Sequence, residues 1–200
     1  AEYYAANLSS DINDTDKVVK LIDDAKTLDV NVLMPDVKMS FPDFRVIDDN
    51  TISYGLAAIK NVGYKAAEDI AKFRDEVNYK TIFDLCTIES TAVNKKTLES
   101  LILAGACDHL EGHRAQQYES IDKVIHFGQL YNKQSNKNQE SLFSSDGVDM
   151  EIPIPELAES EEWSSDVCLS KEKELIGFYL SGNPLEPYES DLKDFEISKV

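Results

Sequence analysis

The sequence is short of positive charge. Its 200 residues carry 20 Lys and Arg against 38 Asp and Glu, a formal net charge of -18. An acidic surface repels phosphate, so composition alone argues against a nucleic-acid partner, and any such role requires the acid to be segregated. Cysteine is scarce as well. Cys86, Cys107 and Cys168 are far apart, odd in number and form no C-x-x-C pair, which excludes a disulfide framework and reads as the reduced thiols of an intracellular protein. There is no signal peptide and no apolar run of about 18 residues, so no segment is expected to span or anchor to a membrane. The apolar share, 42%, is slightly low for one compact domain and leaves room for a loose stretch beside a real core. The chain opens at Ala1, without Met, in what reads as the end of a helix; it is expected to be part of something longer.

What is present reads as mostly α with a small β hairpin. Residues 1–8 look like the last turns of a helix. After a polar turn at 11–14, Val18, Leu21, Ile22, Ala25 and Leu28 recur at helical spacing. A short apolar run over 30–34, closed by Pro35, reads as a strand. Residues 44–47 and 51–54 flank Asp48-Asp49-Asn50 in a strand, turn, strand pattern. From 55 to 131 the pattern is helical in short pieces, and Leu56, Ile59, Val62, Ala66, Ile70 and Phe73 can share one core. Thr81 caps a short helix through Cys86, Asn94 caps another through Ala104, and 113–131 fits one longer helix. Residues 132–166 change character: Asn, Gln, Lys and Ser give way to Asp and Glu with Pro153 and Pro155, and 144–166 contain no Lys or Arg. Such a composition predicts disorder or a loosely tethered loop, and part of the excess acid sits there. Order resumes near Trp163, where Leu169, Ile176, Phe178, Tyr179 and Leu180 suggest a helix ended by Gly182 and Pro184.

Two stretches carry a candidate chemistry for DNA. Ile59-Lys60-Asn61-Val62-Gly63-Tyr64-Lys65-Ala66-Ala67-Glu68-Asp69-Ile70 resembles the helix-hairpin-helix motif of non-specific DNA-binding proteins. Gly63 permits positive φ in a tight turn, the turn presents backbone N–H groups at the start of the second helix, and Ala66 and Ala67 let the two helices approach. Lys60 and Lys65 flank the turn and can neutralise phosphates. An ordinary helical hairpin with a glycine turn fits equally well. Lys95-Lys96-Thr97-Leu98-Glu99-Ser100-Leu101-Ile102-Leu103-Ala104-Gly105-Ala106 reads as a weaker second copy, or as a plain amphipathic helix with a glycine C-cap.

A third stretch, Gln139-Glu140-Ser141-Leu142-Phe143, looks like the peptide by which bacterial proteins bind the ring-shaped sliding clamp. In an extended peptide the Gln139 amide makes hydrogen bonds while Leu142 and Phe143 fill an apolar cleft; the alternative is that the two apolar residues fold back onto the domain. Cys107, His109 and His113 lack a fourth ligand at zinc spacing and read as a buried Cys with two loop histidines. Acidic pairs such as Asp23-Asp24 and Glu161-Glu162 read as solvated surface.

The order of all the pieces resembles the DNA polymerase III alpha-subunit family, the C family of bacterial replicative DNA polymerases. The resemblance rests on Ala6-Asn7-Leu8-Ser9-Ser10-Asp11, Pro35-Asp36-Val37, Tyr54-Gly55-Leu56-Ala57-Ala58-Ile59-Lys60, Val93-Asn94-Lys95-Lys96, Ala104-Gly105-Ala106-Cys107-Asp108, His113-Arg114-Ala115, and Lys171-Glu172-Lys173-Glu174-Leu175-Ile176-Gly177-Phe178-Tyr179-Leu180-Ser181-Gly182. It is weakest over 129–165. The family often has Gly where this chain has Asn61, and Gly-His-Pro-Leu where it has Gly182-Asn183-Pro184-Leu185.

The resemblance implies a layout. Residues 1–42 are the end of a fingers domain and 43–127 a tandem helix-hairpin-helix domain. Residues 128–165 are a flexible acidic linker with the clamp peptide, and 166–200 a helix leading towards an OB domain. It implies duplex DNA contact through Lys60, Asn61, Val62, Gly63, Tyr64, Lys65, Lys95 and Lys96, and clamp contact through Gln139, Leu142 and Phe143. It further implies a cytoplasmic parent polymerase whose Mg2+-binding palm aspartates lie upstream of Ala1. No cofactor is expected in this segment. The sliding clamp (beta subunit) and other subunits of the polymerase III holoenzyme are the implied partners. A non-catalytic helix-hairpin-helix adaptor, and an error-prone polymerase of the same family, remain open as rival readings.

Overall fold

A computed structural model of the chain describes residues 1–88, 90–141, 152–182 and 184, and the side chains of all of these except 135–141. Helix α1 (Glu2–Ser10) packs on α2 (Thr15–Thr27) through Tyr4, Leu8, Val18 and Ile22. The Tyr4 hydroxyl donates to Asp24 Oδ2 at 2.7 Å between them. Helix α2 begins where the sequence pattern puts it, because the Asp14 carboxylate accepts from the Lys17 N–H at 3.2 Å and satisfies an otherwise orphaned donor.

Three short strands follow: β1 (Asn31–Val32), β2 (Arg45–Asp48) and β3 (Thr51–Ser53). The expected hairpin is β2 and β3, antiparallel and with an irregularity between Val46 and Asp48. β1 adds to it in parallel, pairing Asn31 with Thr51 and Val32 with Ile52, so β3 lies in the centre of a mixed sheet. A local pattern cannot announce a parallel neighbour, because the pairing is made across a crossover.

From there the fold is helical. A 3-10 turn (Leu56–Ala58) leads through Asn61 to α3 (Tyr64–Val77), which stops at left-handed Asn78. A second 3-10 turn (Asp84–Cys86) precedes α4 (Lys95–Leu103). Asn94 caps α4 by accepting from the Thr97 N–H at 3.1 Å. The residues expected to share a core do so: Leu56, Ile59, Val62, Ala66 and Ile70 are buried and Phe73 packs against them.

The expected single helix over 113–131 is two. α5 (Arg114–Glu119) carries a capping box made by His113 and Gln116, and α6 (Ile121–Ser141) follows. The break is at Ser120, whose hydroxyl donates back to the Gln116 carbonyl at 2.7 Å, a local bond that competes with helix continuation. α6 also runs ten residues past Tyr131, into the polar tract read as the start of a loose linker.

The later, acidic part of that tract also differs from expectation. Residues 152–164 carry no helix or strand, yet they lie against the domain. The Ala158 N–H donates to Ser120 Oγ at 2.7 Å and Lys123 Nζ to the Glu156 carbonyl at 3.4 Å. Trp163 meets Tyr118 with ring centroids 5.6 Å apart, and Lys171 Nζ sits 4.9 Å from the Trp163 ring. Ile152 and Leu157 pack on the core while Glu156, Glu159, Glu161 and Glu162 face solvent. Composition averages over a whole segment, whereas a few apolar anchors spaced along an extended strap are enough to hold it down.

Helix α7 (Ser165–Ile176) ends at Gly177 rather than Gly182. Gly177 has φ 99°, and a methyl group there would overlap Thr15 Cγ2, so α7 closes directly onto α2. Gly177→Ala combines a left-handed backbone with that clash. It is expected to cost about 2 kcal/mol and to lower Tm by roughly 4–8 °C in thermal unfolding.

Candidate nucleic-acid interface

The first hairpin turn is built from the inside out. Val62 is buried under it and Ala66 and Ala67 are buried behind it, while Lys60, Asn61, Gly63, Tyr64, Lys65 and Glu68 are exposed. The left-handed residue of the turn is Asn61, with φ 65°, and not Gly63, which has φ -70° and ψ 151°. Asn61 stands at a position that needs positive φ, and Asn is among the side chains best able to take it. Its amide donates to Ser100 Oγ at 3.2 Å, tying the turn to α4.

Gly63 is the N-cap of α3. It offers no side chain to the first-turn N–H groups, and a Cβ there would meet nothing within 4 Å. Helices α2, α4 and α5 each begin with a side-chain acceptor, from Asp14, Asn94 and His113, whereas α1 and α7, like α3, have none. The start of α3 therefore keeps backbone donors and the positive end of its dipole open on a surface with room above it.

Three of the four lysines expected to meet phosphate, Lys60, Lys65 and Lys95, are engaged within the chain. The Lys60 N–H donates to the Leu175 carbonyl at 3.1 Å and its Nζ to the Glu174 carbonyl at 2.9 Å, so Lys60 caps the end of α7. Lys65 Nζ lies 2.7 Å from Asp69 and 3.1 Å from Glu68, and the hydrogen bond to Asp69 is the main cause holding its pKa above the ordinary lysine value. Tyr64 donates its hydroxyl to Asp43 Oδ2 at 2.8 Å. Lys95 pairs with Asp122 at 2.6 Å, and Lys96 is exposed. Spacing along the chain carries no signal for Asp122, which α6 brings to Lys95, whereas Glu68 and Asp69 stand at the i+3 and i+4 positions that pair with Lys65 on one helix.

The second glycine turn has a different occupant. The Gly105 N–H donates to the Ile102 carbonyl and the Ala106 N–H to the Leu101 carbonyl, the two crossed bonds of a Schellman helix end. The space over Gly105, at φ 79°, is filled by the Arg114 guanidinium. Arg114 grips Asp108 with two bonds, Nε to Oδ1 at 2.7 Å and Nη2 to Oδ2 at 2.6 Å. Its Nη1 lies 3.8 Å from Glu172, which is wholly buried on α7. Glu172 in turn accepts from the Leu180 and Ser181 N–H groups, each at 2.8 Å, and from Ser181 Oγ at 2.7 Å. Three separate family-like stretches thus meet at one guanidinium.

Two histidines flank this region without gathering as ligands. His113 Nδ1 accepts from the Gln116 N–H at 3.3 Å, and His109 Nδ1 lies 3.1 Å from Asp36 Oδ2. Cys107 is fully buried and burial pushes its thiol up. Among the described residues no three His, Cys, Asp or Glu side chains are grouped to hold a metal ion. Gln139 lies within the backbone of α6; its side chain, and all of Leu142 and Phe143, are outside the described residues.

Removing a buried ionic partner strands the other groups. Glu172→Ala is expected to cost about 3 kcal/mol in urea unfolding. Arg114→Ala combined with Glu172→Ala is expected to cost less than the sum of the single changes, because the two share one network.

Residues 29–117 match the helix-hairpin-helix motif family, a span that includes both glycine turns. Over nearly the whole chain there are curated relatives. DNA polymerase III subunit alpha of Xylella fastidiosa is 37% identical over 97% of this chain and 16% of its own length. The Vibrio cholerae subunit is 36% identical over 100% of this chain and 17% of its own. That of Escherichia coli K12 is 32% identical over 98% and 17%. The chain thus spans about a sixth of the length of the relatives it matches. With a helix-hairpin-helix match at its centre and this likeness from end to end, the chain is related to one segment of the DNA polymerase III subunit alpha family.

Proposed function

We propose that this chain holds duplex DNA, without reading its sequence, as part of a replicative DNA polymerase that carries out DNA-directed DNA synthesis. The observation that carries the reading is the start of α3, where Gly63 leaves the first-turn N–H groups without a side-chain cap and has nothing within 4 Å of where its own Cβ would stand. A phosphodiester is an acceptor of the right charge for that place. The contact is made by backbone, so it positions the protein on the duplex and carries no base information. The parent's metal-dependent chemistry, with Mg2+ as its ion, falls to residues outside this chain. No described helix is long and apolar enough to cross a membrane; the cytoplasm is the compartment that suits the role.

Within the same proposal, Gln139, Leu142 and Phe143 form the contact with the sliding clamp, and the other holoenzyme subunits are partners of the parent. Tethering of this kind raises processivity because DNA engagement raises the effective concentration of the second site, so a weak peptide suffices.

The turn is tested by Gly63→Asp. Its backbone suits any residue and its Cβ meets nothing, so stability is expected to stay within about 0.5 kcal/mol of the parent or to rise. The added carboxylate occupies the donors and repels phosphate. Duplex affinity, followed by fluorescence anisotropy at low salt, is expected to fall about tenfold or more. Full binding by a folded Gly63→Asp chain would remove the turn from the interface.

The clamp contact is tested separately. Leu142→Ala with Phe143→Ala is expected to lose several kcal/mol of clamp affinity, on the order of two buried side chains, in calorimetry. The melting temperature is expected to hold. A melt that collapses together with binding would assign the two residues to the core instead.

A further inference from the structure

In this acidic chain three of the basic groups around the hairpins are neutralised: Lys65 by Asp69, Lys95 by Asp122 and Arg114 by Asp108, all within 2.7 Å. Among the described residues Lys60, which meets only carbonyls, and exposed Lys96 are not paired with a carboxylate, and neither are two arginines. Arg45, at the start of β2, stacks its guanidinium 3.6 Å from the centroid of Phe41, and Arg74, on α3, places its own 4.5 Å from the same ring. Among the described residues neither has a carboxylate within ion-pair distance. Asp36 and Asp75 act on Arg74 only at longer range, and burial pushes its pKa down.

Arg74 Nε donates to the Ala71 carbonyl at 3.0 Å, but its Nη2 is buried and has no hydrogen-bond partner. Arg45 is exposed. Two like charges gathered on one aromatic ring, one with an unspent donor, are costly without an anion.

The place also matters. Tyr64, the first residue of α3 and next to Gly63, is tied by its hydroxyl to Asp43, two residues before Arg45. Asp43, the carboxylate at hand, is already the acceptor of the Tyr64 hydroxyl. Arg45 thus lies on the segment that Tyr64 ties to the open helix start, and its exposed guanidinium, unpaired with any carboxylate among the described residues, can offer a phosphate the paired N–H bonds that suit it.

We propose that Arg45, braced by Phe41 and Arg74, is a second phosphate contact for the same duplex, taking a backbone phosphate near the one at the Gly63 turn. This rests on the reading of that turn as a DNA contact. Sequence spacing does not reveal it, since Arg45 lies in a strand outside the hairpin motif and Arg74 a further 10 positions along α3.

The test compares Arg45→Gln, Arg45→Lys and Gly63→Asp in the full chain against two duplex oligonucleotides of unrelated sequence, over a salt series, with thermal melts alongside. Arg45→Gln is expected to weaken both duplexes alike, about three- to tenfold, and to reduce the slope of log affinity against log salt by about 0.9, with Tm unchanged. Arg45→Lys is expected to keep the slope. If Arg45→Gln binds as the parent does while Gly63→Asp has lost binding, the arginine site falls and the hairpin contact stands. If neither change affects binding, or the parent binds neither duplex at low salt, both fall. A loss confined to one sequence, or a lowered Tm with equal weakening by Gln and Lys, would make the stack a base reader or a packing device and overturn the proposal.

Discussion

The arrangement of the chain depends on one guanidinium. Arg114 occupies the notch that Gly105 leaves open, holds Asp108 on one side and reaches buried Glu172 on the other. Glu172 fixes the chain after α7 by accepting from Leu180 and Ser181. With α7 held there, its C-terminal carbonyls meet Lys60 and its closing glycine meets Thr15. One ionic network, anchored on buried Glu172 with Asp108 at its exposed edge, thus links the second glycine turn to α7, whose end meets the first hairpin and α2. Such networks are high-stakes, because in a low dielectric each member is costly when left unpaired.

That network also makes the two glycine turns structurally unlike. A sequence with two lysine-flanked, small-residue turns suggests a symmetric pair. The chain itself supplies the group over the second turn, a positive one at Gly105, while the first stays open at Gly63. An acidic chain can still offer a phosphate-facing surface if its contact relies on backbone donors and on guanidiniums that are not already paired. Here Lys65 and Lys95 are held by carboxylates, while the start of α3 and the Arg45 stack are not. The exposed carboxylates of 156–162 are kept on a strap held by Ser120, Lys123 and Tyr118, so part of the excess acid is fixed in place on α5 and α6.

Much was determined locally, and for that reason legible in the sequence. Helix α2 starts at Asp14 and α4 at Asn94 because one side chain satisfies one N–H a few residues on. The β2–β3 hairpin follows from two apolar runs around Asp48-Asp49-Asn50. The first hairpin is recognisable because Val62, Ala66 and Ala67 must be apolar or small at those spacings. Each of these depends on neighbours within a turn or two, where pattern and propensity speak directly.

Other features were decided only by the tertiary structure. That Asn61 rather than Gly63 takes positive φ depends on where α4 offers Ser100. That Lys60 caps a helix more than a hundred positions away, that β1 joins β3 in parallel, and that Arg45 and Arg74 share the Phe41 ring are contacts between distant parts of the chain. A charge on a sequence looks the same whether it ends in water, on a carboxylate or beside another charge. Its free energy depends on what the assembled fold places within a few ångströms, and that is set by packing rather than by order along the chain.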